Sequence, residues 1–305
     1  MDYNKYLMRA KTDNFKIFGE RELLPNFIEL ETSTFCNRRC PWCPNSIYSR
    51  SMKQKNISNK LFNKIINELA ELRYSGEISL HNYNEPLLDK KIFYYINKIK
   101  MKISKSHILL YSNGDYLNRK MVNKIAYSGV KTLFISIHDA IENRNYKEII
   151  ESFDKRMHFK KNYTNVSDKL GEKFLTHYKR LNIIYYMPYV AALTSRGGIL
   201  KKYNKKNCLN TFCYLPFSSC AIDFEGNFKI CCEVYPANKI HKKYGIIGNL
   251  STKTFLQLWF SRSYNSFRKD ILHHSNNNVI CSDCRGYTIN INRNRLEKWK
   301  NFLNK

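Results

Sequence analysis

Residues 32–44 read Thr-Ser-Thr-Phe-Cys-Asn-Arg-Arg-Cys-Pro-Trp-Cys-Pro and place Cys36, Cys40 and Cys43 in a C-x3-C-x2-C arrangement. They follow the short apolar segment 27–31, Phe-Ile-Glu-Leu-Glu. Three thiolates on one tight loop can hold three irons of a four-iron, four-sulfur cluster and leave the fourth iron open for another ligand. A structural zinc site usually needs a fourth ligand nearby and two C-x2-C arms, which the neighbouring sequence lacks. The stretch favours an open iron-sulfur cluster, with a zinc knuckle or a chance grouping as the alternatives.

The composition is that of a globular protein. The chain has 305 residues, 43% hydrophobic and 14% aromatic, enough for one barrel-sized unit or for a large domain plus a small one. No apolar run is long enough to cross a membrane, and the first residues show no signal-peptide core. We therefore expect a cytoplasmic protein with no membrane partner. Ten cysteines in that reducing compartment favour metal ligation over disulfides.

The formal net charge of +27 raises the question of a nucleic-acid partner. The basic residues are spread along the chain, and there is no basic tail, zinc-finger pattern or RNA-binding aromatic motif. Nucleic acid is therefore not the expected partner. An anionic substrate or an acidic peptide remains open, because bulk charge alone decides neither.

Helical and strand patterns alternate after the cysteine loop. Apolar residues recur at helical spacing over 61–72, and Gly76 ends that helix. Further helices are predicted over 89–101 and 117–127, and strands over 27–34, 77–83, 106–112, 132–138, 158–163 and 182–189. Such a repeat requires a parallel sheet, whose ligands lie at the carboxyl ends of the strands. The prediction is an α/β fold, a partial (β/α)6 TIM-like barrel with a small C-terminal β-hairpin and helix domain that binds a cluster.

Polar residues fall at those strand ends. Residues 83–88, Tyr-Asn-Glu-Pro-Leu-Leu, follow the second strand, and residues 112–114, Ser-Asn-Gly, end the third. Ser136 and His138 share one face of the fourth strand. Together with the C-x3-C-x-aromatic-C form of the cysteine loop, this pattern resembles the radical S-adenosylmethionine (SAM) superfamily. Residues 83–88 resemble its G-G-E-P motif, with Asn84 in place of the second glycine.

The resemblance implies a role for each matching residue. Cys36, Cys40 and Cys43 would hold a [4Fe-4S] cluster whose open iron binds SAM, and Glu85 with nearby carbonyls would bind the SAM ammonium. The expected cofactor-binding residues are Trp42, Asn84, Glu85, Ser112, Asn113 and Ser136. Lys160 or Lys161 could meet the SAM carboxylate, with an exposed lysine as the alternative. His138 could line the substrate pocket or be structural, and no adenine-binding motif is recognisable over 183–188.

A second cysteine group occupies the C-terminal part of the chain. Residues 219–232 read as a β-hairpin that turns at 225–227, and Cys281 and Cys284 form a C-x2-C pair further on. This order resembles the SPASM domain in its shorter twitch form, which implies one auxiliary [4Fe-4S] cluster. The implied ligands are Cys213, Cys231, Cys281 and Cys284. Cys232 could replace Cys231, because adjacent strand residues point opposite ways, and zinc is the alternative metal.

Cys208, Cys220 and Cys232 are then left over. Cys220 or Cys232 could act catalytically as a thiol that gives a hydrogen atom to a substrate radical, although buried inert cysteine is the commoner fate. The expected divisions are an N-terminal lead-in over 1–26, the radical SAM barrel over 27–200, the auxiliary-cluster domain over 201–290 and a closing helix over 291–305.

The resemblance implies reductive cleavage of SAM to a 5′-deoxyadenosyl radical that abstracts a substrate hydrogen atom. The expected reaction is dehydrogenation or epimerisation of a small polar metabolite such as a sugar or cyclitol. One alternative is a maturase that epimerises or crosslinks a ribosomally made peptide. Another is a non-catalytic iron-sulfur or zinc protein that binds nucleic acid. A reductant such as flavodoxin or ferredoxin is the expected protein partner.

Overall fold

A ten-stranded sheet organises the part of the chain that the computed structural model describes, namely residues 20–48, 50, 55–138, 146–158, 162–203, 212–284 and 291–304. The strands are β1 Phe27–Leu30, β2 Glu77–Ser79, β3 His107–Ser112, β4 Val130–Ser136, β5 Thr164–Asn165, β6 Gly171–Tyr178, β7 Leu181–Pro188, β8 Ser219–Ile222, β9 Asn227–Lys229 and β10 Ile246–Asn249. Their order in the sheet is β10-β9-β8-β1-β2-β3-β4-β7-β6-β5.

The central six strands, β8-β1-β2-β3-β4-β7, are all parallel. The predicted α/β class with a mostly parallel sheet is confirmed. Among the described residues, the sixth parallel strand is β8 from the C-terminal hairpin, and residues 159–161 of the strand predicted over 158–163 lie outside the described residues. Ile28 pairs with Cys220 on β8, so this hairpin continues the main sheet directly. The predicted domain limits stay predictions.

The edge beyond β7 differs from the predicted repeat. β6 and β7 form an antiparallel hairpin in which Tyr178 pairs with Leu181. The two-residue turn between them contains Lys179 at φ +57°. The sequence Lys-Arg does not predict this left-handed backbone region, which glycine and asparagine favour. A helix over Tyr146–Met157 precedes this hairpin in the chain and ends just before the predicted fifth strand.

The helices cover the parallel strands and the C-terminal hairpin. They are α1 Asn59–Glu71, α2 Ile92–Lys102, α3 Arg119–Ser128, α4 Tyr146–Met157, α5 Leu215–Ser218, α6 Lys239–Tyr244, α7 Phe255–Trp259, α8 Arg262–Leu272, α9 Val279–Ser282 and α10 Arg293–Leu303. The Ser58 hydroxyl caps α1 by accepting from the Leu61 amide at 3.1 Å. Gly129 ends α3 at φ +103°. No helix within the described ranges is long and apolar enough to span a bilayer.

The C-terminal segments close the core on the β8 side. The β8–β9 hairpin turns at Gly226, whose φ of +85° requires a residue without a side chain. Trp299 on α10 is fully buried, and its indole N–H donates to the Phe217 carbonyl at 2.9 Å. The closing helix expected from the sequence is therefore present, and it packs on the segment that leads into β8.

Candidate active site

A cavity of about 300 Å³ lies at the carboxyl ends of the parallel strands. It brings together nine residues that the sequence predicted for the cluster and SAM: Cys36, Cys40, Cys43, Trp42, Asn84, Glu85, Ser112, Asn113 and Ser136. The other lining residues are Arg38, His81, Asn82, Tyr83, Tyr111, His138, Leu170, Tyr186, Pro188, Ala192, Leu193, Thr194 and Arg196. Residues that are far apart in sequence thus share one chamber, as a parallel sheet arranges.

The cysteine loop is held in shape by its own backbone. The Cys43 amide donates to the Cys40 carbonyl at 2.9 Å, and the Ser46 hydroxyl donates to the Cys43 carbonyl at 2.8 Å. Burial raises the pKa of the Cys36 and Cys43 thiols. A positive metal centre is therefore needed to keep them as thiolates at neutral pH. Three cysteines that face one cavity fit an open cluster.

A polar network ties this loop to the end of β3. The Arg38 guanidinium donates two hydrogen bonds to Asp115, at 2.8 and 2.5 Å, and Asn37 donates to the same carboxylate at 2.6 Å. Hydrogen bonding from Arg38 holds the pKa of Asp115 below its ordinary value. Asn113 donates to the Asn37 side chain at 2.9 Å. The predicted Ser-Asn-Gly turn thus fixes the position of the cluster loop.

Glu85 joins three elements beneath the cavity. Its carboxylate accepts hydrogen bonds from the Ser112 hydroxyl at 2.8 Å, the Asn113 amide at 2.7 Å and the Leu87 amide at 3.1 Å. Its own amide donates to the Phe35 carbonyl at 2.5 Å. Burial raises the pKa of Glu85 to about 7, against these hydrogen bonds, which lower it. Glu85 therefore organises the floor of the cavity, and its contact with the SAM ammonium stays a prediction.

Aromatic and imidazole side chains form another wall. The Trp42 indole N–H donates to Nδ1 of His138 at 3.1 Å, which links the cysteine loop to the end of β4. His81 stacks on Tyr111 with 4.3 Å between ring centroids, and Tyr111 stacks on Phe134 at 4.4 Å. Burial lowers the pKa of His81 to about 3, so this imidazole is neutral at physiological pH.

The wall that faces the second cysteine group carries buried charges. Arg196 donates to Glu233 at 3.0 Å, and the Thr194 hydroxyl donates to the same carboxylate at 2.6 Å. Lys229, which is fully buried, donates to the Asn82 side chain at 2.5 Å. No sequence pattern predicts this wall, since its residues come from three separate segments. Arg196 directly precedes two glycines, and this is the sequence feature that could have pointed to the wall.

The second cysteine group lies behind this wall. Burial raises the pKa of Cys231, and the neighbouring thiols of Cys232, Cys281 and Cys284 raise it further. The thiol of Cys232 instead lies among Glu29, Glu233, Arg196 and Lys229, the charged groups on the cavity side. The two adjacent cysteines thus have different surroundings, and those of Cys231 are the ones shared with the C-x2-C pair. Burial raises the pKa of Tyr264, and Cys220, Cys231 and Cys213 raise it further, so these three cysteines lie near the same ring.

The remaining cysteines differ in their access to the cavity. Cys220 is 1% exposed within the hydrophobic core and does not line the cavity, so the structure offers no support for the hydrogen-atom donor predicted there. The Cys232 carbonyl accepts from the Tyr83 hydroxyl at 2.9 Å, next to the cavity. Cys208, Lys160 and Lys161 lie outside the described residues. No disulfide joins the nine cysteines in the described ranges.

The arrangement of side chains also bears on the zinc alternative. Within the described ranges, no group of three or more His, Cys, Asp or Glu side chains is close enough to hold a single metal ion. Both sets consist of cysteines, whose thiolates are the ligands of iron-sulfur clusters.

Comparisons with known proteins agree with this geometry. The sequence model of the Radical SAM superfamily matches residues 30–192, and that of SPASM, an iron-sulfur cluster-binding domain, matches residues 213–285. An S-adenosyl-L-methionine-dependent 2-deoxy-scyllo-inosamine dehydrogenase from Niallia circulans is 23% identical over 265 residues, which cover 87% of this chain and 94% of the relative.

Two solved structures share the fold. A crystal structure of BtrN in complex with AdoMet and 2-DOIA superposes with a TM-score of 0.66 at 21% identity and covers 88% of this chain and 96% of that one. Selenomethionine BtrN in an open conformation gives a TM-score of 0.58 at 20% identity, covering 86% and 93%.

The two family models confirm the expected cofactors, a SAM-binding [4Fe-4S] cluster and an auxiliary iron-sulfur cluster. The first model spans the strands that bear the cavity and the cysteine loop. Since that match covers more than half of the 305 residues, the chain belongs to the radical SAM superfamily.

Proposed function

We propose that this protein is a radical SAM dehydrogenase that oxidises a secondary alcohol of a small polyhydroxylated metabolite, of the cyclitol or aminocyclitol class. The observation that carries the proposal is the position of the cavity between the two cysteine groups, with the Arg196–Glu233 pair on the wall nearest the second group. The curated relative, a dehydrogenase of an aminocyclitol, supports the same substrate class.

The residues divide into two cluster sites. Cys36, Cys40 and Cys43 hold the cluster that binds SAM, and Cys213, Cys231, Cys281 and Cys284 hold the auxiliary cluster. We choose Cys231 over Cys232 because the C-x2-C thiols contribute to its electrostatic surroundings. When bound, the first cluster and SAM supply the 5′-deoxyadenosyl radical, and the auxiliary cluster supplies an acceptor for one electron.

The oxidation must be balanced in hydrogen and charge. Conversion of a substrate carbinol to a ketone removes one hydrogen atom, one electron and one proton. The 5′-deoxyadenosyl radical would take the hydrogen atom, the auxiliary cluster held by the second cysteine group would accept the electron, and solvent would take the proton. The chain's own part is to bind the substrate, orient its C–H bond and exclude competing hydrogen donors.

The cavity wall suits hydroxyl groups of a small substrate. His81, as a neutral imidazole, can exchange hydrogen bonds with a hydroxyl, and the Arg196 guanidinium is a further donor group on the same wall. Tyr83 and Tyr111 provide apolar surface for the ring carbons.

Release of 5′-deoxyadenosine tests the proposal. Reconstituted, reduced protein is given SAM with either 2-deoxy-scyllo-inosamine, a small-molecule extract fraction or a peptide fraction. We expect the small molecules to stimulate release and the peptides to have no effect. Arg196→Gln should lose the stimulation yet retain the slow substrate-free cleavage, whereas Cys40→Ala should lose both. Stimulation by peptides alone would contradict the proposal and identify a maturase. If none of the additions increased 5′-deoxyadenosine release from protein with both clusters loaded, that result would also contradict the proposal.

Iron content tests the cluster assignment. We expect about eight irons per chain after anaerobic reconstitution, from two four-iron clusters. Cys281→Ala with Cys284→Ala should leave about four, and Cys232→Ala should leave all eight. The reductant, flavodoxin or ferredoxin, stays a prediction. The two can be compared in the assay of 5′-deoxyadenosine release.

A further inference from the structure

Arg268 on α8 is a fully buried cation within an aromatic cage. Its guanidinium carbon lies 3.8 Å from the ring centroid of Tyr264, 4.2 Å from that of Trp299 and 4.3 Å from that of Trp259. The side chain is 0% exposed. A charged group in such a place needs compensation, because transfer of an ion from water into a protein interior is costly.

The compensation available from the described chain is incomplete. Nε donates to the Pro216 carbonyl at 2.8 Å, and Nη1 donates to the Trp259 carbonyl at 2.6 Å and to Oδ1 of Asn265 at 2.7 Å. None of these acceptors carries a formal charge, and Nη2 has no hydrogen-bond partner. Burial and the nearby cation Arg295 lower the pKa of Arg268 to about 9, against Tyr264 and Cys220, which raise it.

Arg268 contacts the segments that carry two auxiliary-cluster ligands. Pro216, its acceptor, lies three residues after Cys213. The hydroxyl of Tyr264, the ring closest to the guanidinium, donates at 2.9 Å to the carbonyl of Ile230, which directly precedes Cys231. Burial raises the pKa of this tyrosine, and Cys220, Cys231 and Cys213 raise it further. The cation is therefore next to the second cysteine group and not next to the SAM-binding loop.

We propose that Arg268 is the buried counter-charge of the auxiliary cluster and holds its reduction potential high enough for it to accept an electron. A four-iron cluster with four thiolate ligands carries net negative charge, which reduction increases, and a fixed cation nearby favours the reduced form. Arg268 is thus a positioning residue that acts on the electron acceptor and does not touch the substrate. This inference rests on the proposed auxiliary cluster. It explains why a cation that has no carboxylate partner among the described residues is buried here.

A redox titration followed by electron paramagnetic resonance tests the inference. The parent protein carries Cys36→Ala, Cys40→Ala and Cys43→Ala, so that the auxiliary cluster alone titrates. In Arg268→Gln, the ratio of oxidised to reduced cluster at a fixed potential should rise about tenfold. This corresponds to a reduction potential that is more negative by about 59 mV for one electron. Asn265→Asp, which places a carboxylate against the guanidinium, should shift it in the same direction even if the glutamine variant fails to fold. Arg268→Lys and the remote Arg119→Gln should leave the reduction potential close to that of the parent protein.

The outcomes separate this inference from the proposed function. A cluster that assembles with the same potential in Arg268→Gln and Asn265→Asp overturns the role of Arg268 and leaves the proposed function standing. Absence of any cluster from the parent protein overturns the auxiliary-cluster assignment itself. A purely structural arginine would reduce thermal stability without moving the potential.

Discussion

Glu29 on β1 makes a pH dependence of stability predictable. Its carboxylate accepts a 2.6 Å hydrogen bond from Asn82, and Lys229 lies close by. Burial nevertheless raises the pKa of Glu29 from 4.5 to about 7, because desolvation outweighs both favourable contacts. The folded state therefore holds this proton more tightly than the unfolded state does. The associated stability is fully present below pH 4.5 and is lost as pH rises through about 7.

The magnitude follows from the two pKa values. A rise from 4.5 to about 7 corresponds to at most about 3 kcal/mol of unfolding free energy at 1.36 kcal/mol for each pH unit. Glu29→Gln removes this titration and keeps the acceptor for Asn82. Relative to that of the wild type, the unfolding free energy of the variant should therefore rise by about 2–3 kcal/mol between pH 5 and pH 8.5. Any effect of the substitution that does not depend on pH cancels in this comparison.

Thermal unfolding of the anaerobically reconstituted protein, followed by circular dichroism, measures the effect. For a chain of this size we expect a relative gain of roughly 4–6 °C in the variant's midpoint across that pH range. The exposed Glu297→Gln serves as the control and should show a difference that does not vary with pH. An equally flat difference for Glu29→Gln would refute the reasoning, since it would mean that Glu29 is ionised at its ordinary pKa in the folded protein.

Three further changes test the site. Gly114→Ala should destabilise the protein by about 1–3 kcal/mol in chemical denaturation, because Gly114 has φ +80° and a methyl group there would meet the Phe153 ring. Arg38→Gln should lower iron retention during gel filtration, because it breaks the fork to Asp115 that fixes the cysteine loop, whereas exposed Arg262→Gln should not. Trp42→Phe should cost about 1 kcal/mol in thermal unfolding by removing the indole bond to His138, and an unchanged midpoint would contradict that contact.

Local patterns made much of the site predictable. The three cysteines of the first loop lie within eight residues. Glu85 and Asn113 each follow a strand, and Ser136 ends one, and the apolar pattern of each strand is visible in the sequence. The parallel sheet then brings them together at one edge, so the shared cavity follows from topology without knowledge of packing.

Features set by contacts distant in sequence could not be predicted. The pairing of Ile28 with Cys220 joins segments about 190 residues apart, and it makes β8 part of the main sheet. The β6–β7 hairpin depends on Lys179 at positive φ, which lysine rarely adopts, so the turn had no glycine or asparagine signal. The sequence around Arg268 does not distinguish it from the other cations of the chain, and only the fold encloses it between Trp259 and Trp299.

The most direct test of the central claim is the fate of a deuterium placed on the carbinol carbon of an accepted cyclitol substrate. The account predicts that this deuterium appears in 5′-deoxyadenosine and that one ketone forms for each SAM cleaved. Return of the alcohol with inverted configuration and a solvent hydrogen on that carbon would contradict it, because the protein would then be an epimerase and not a dehydrogenase.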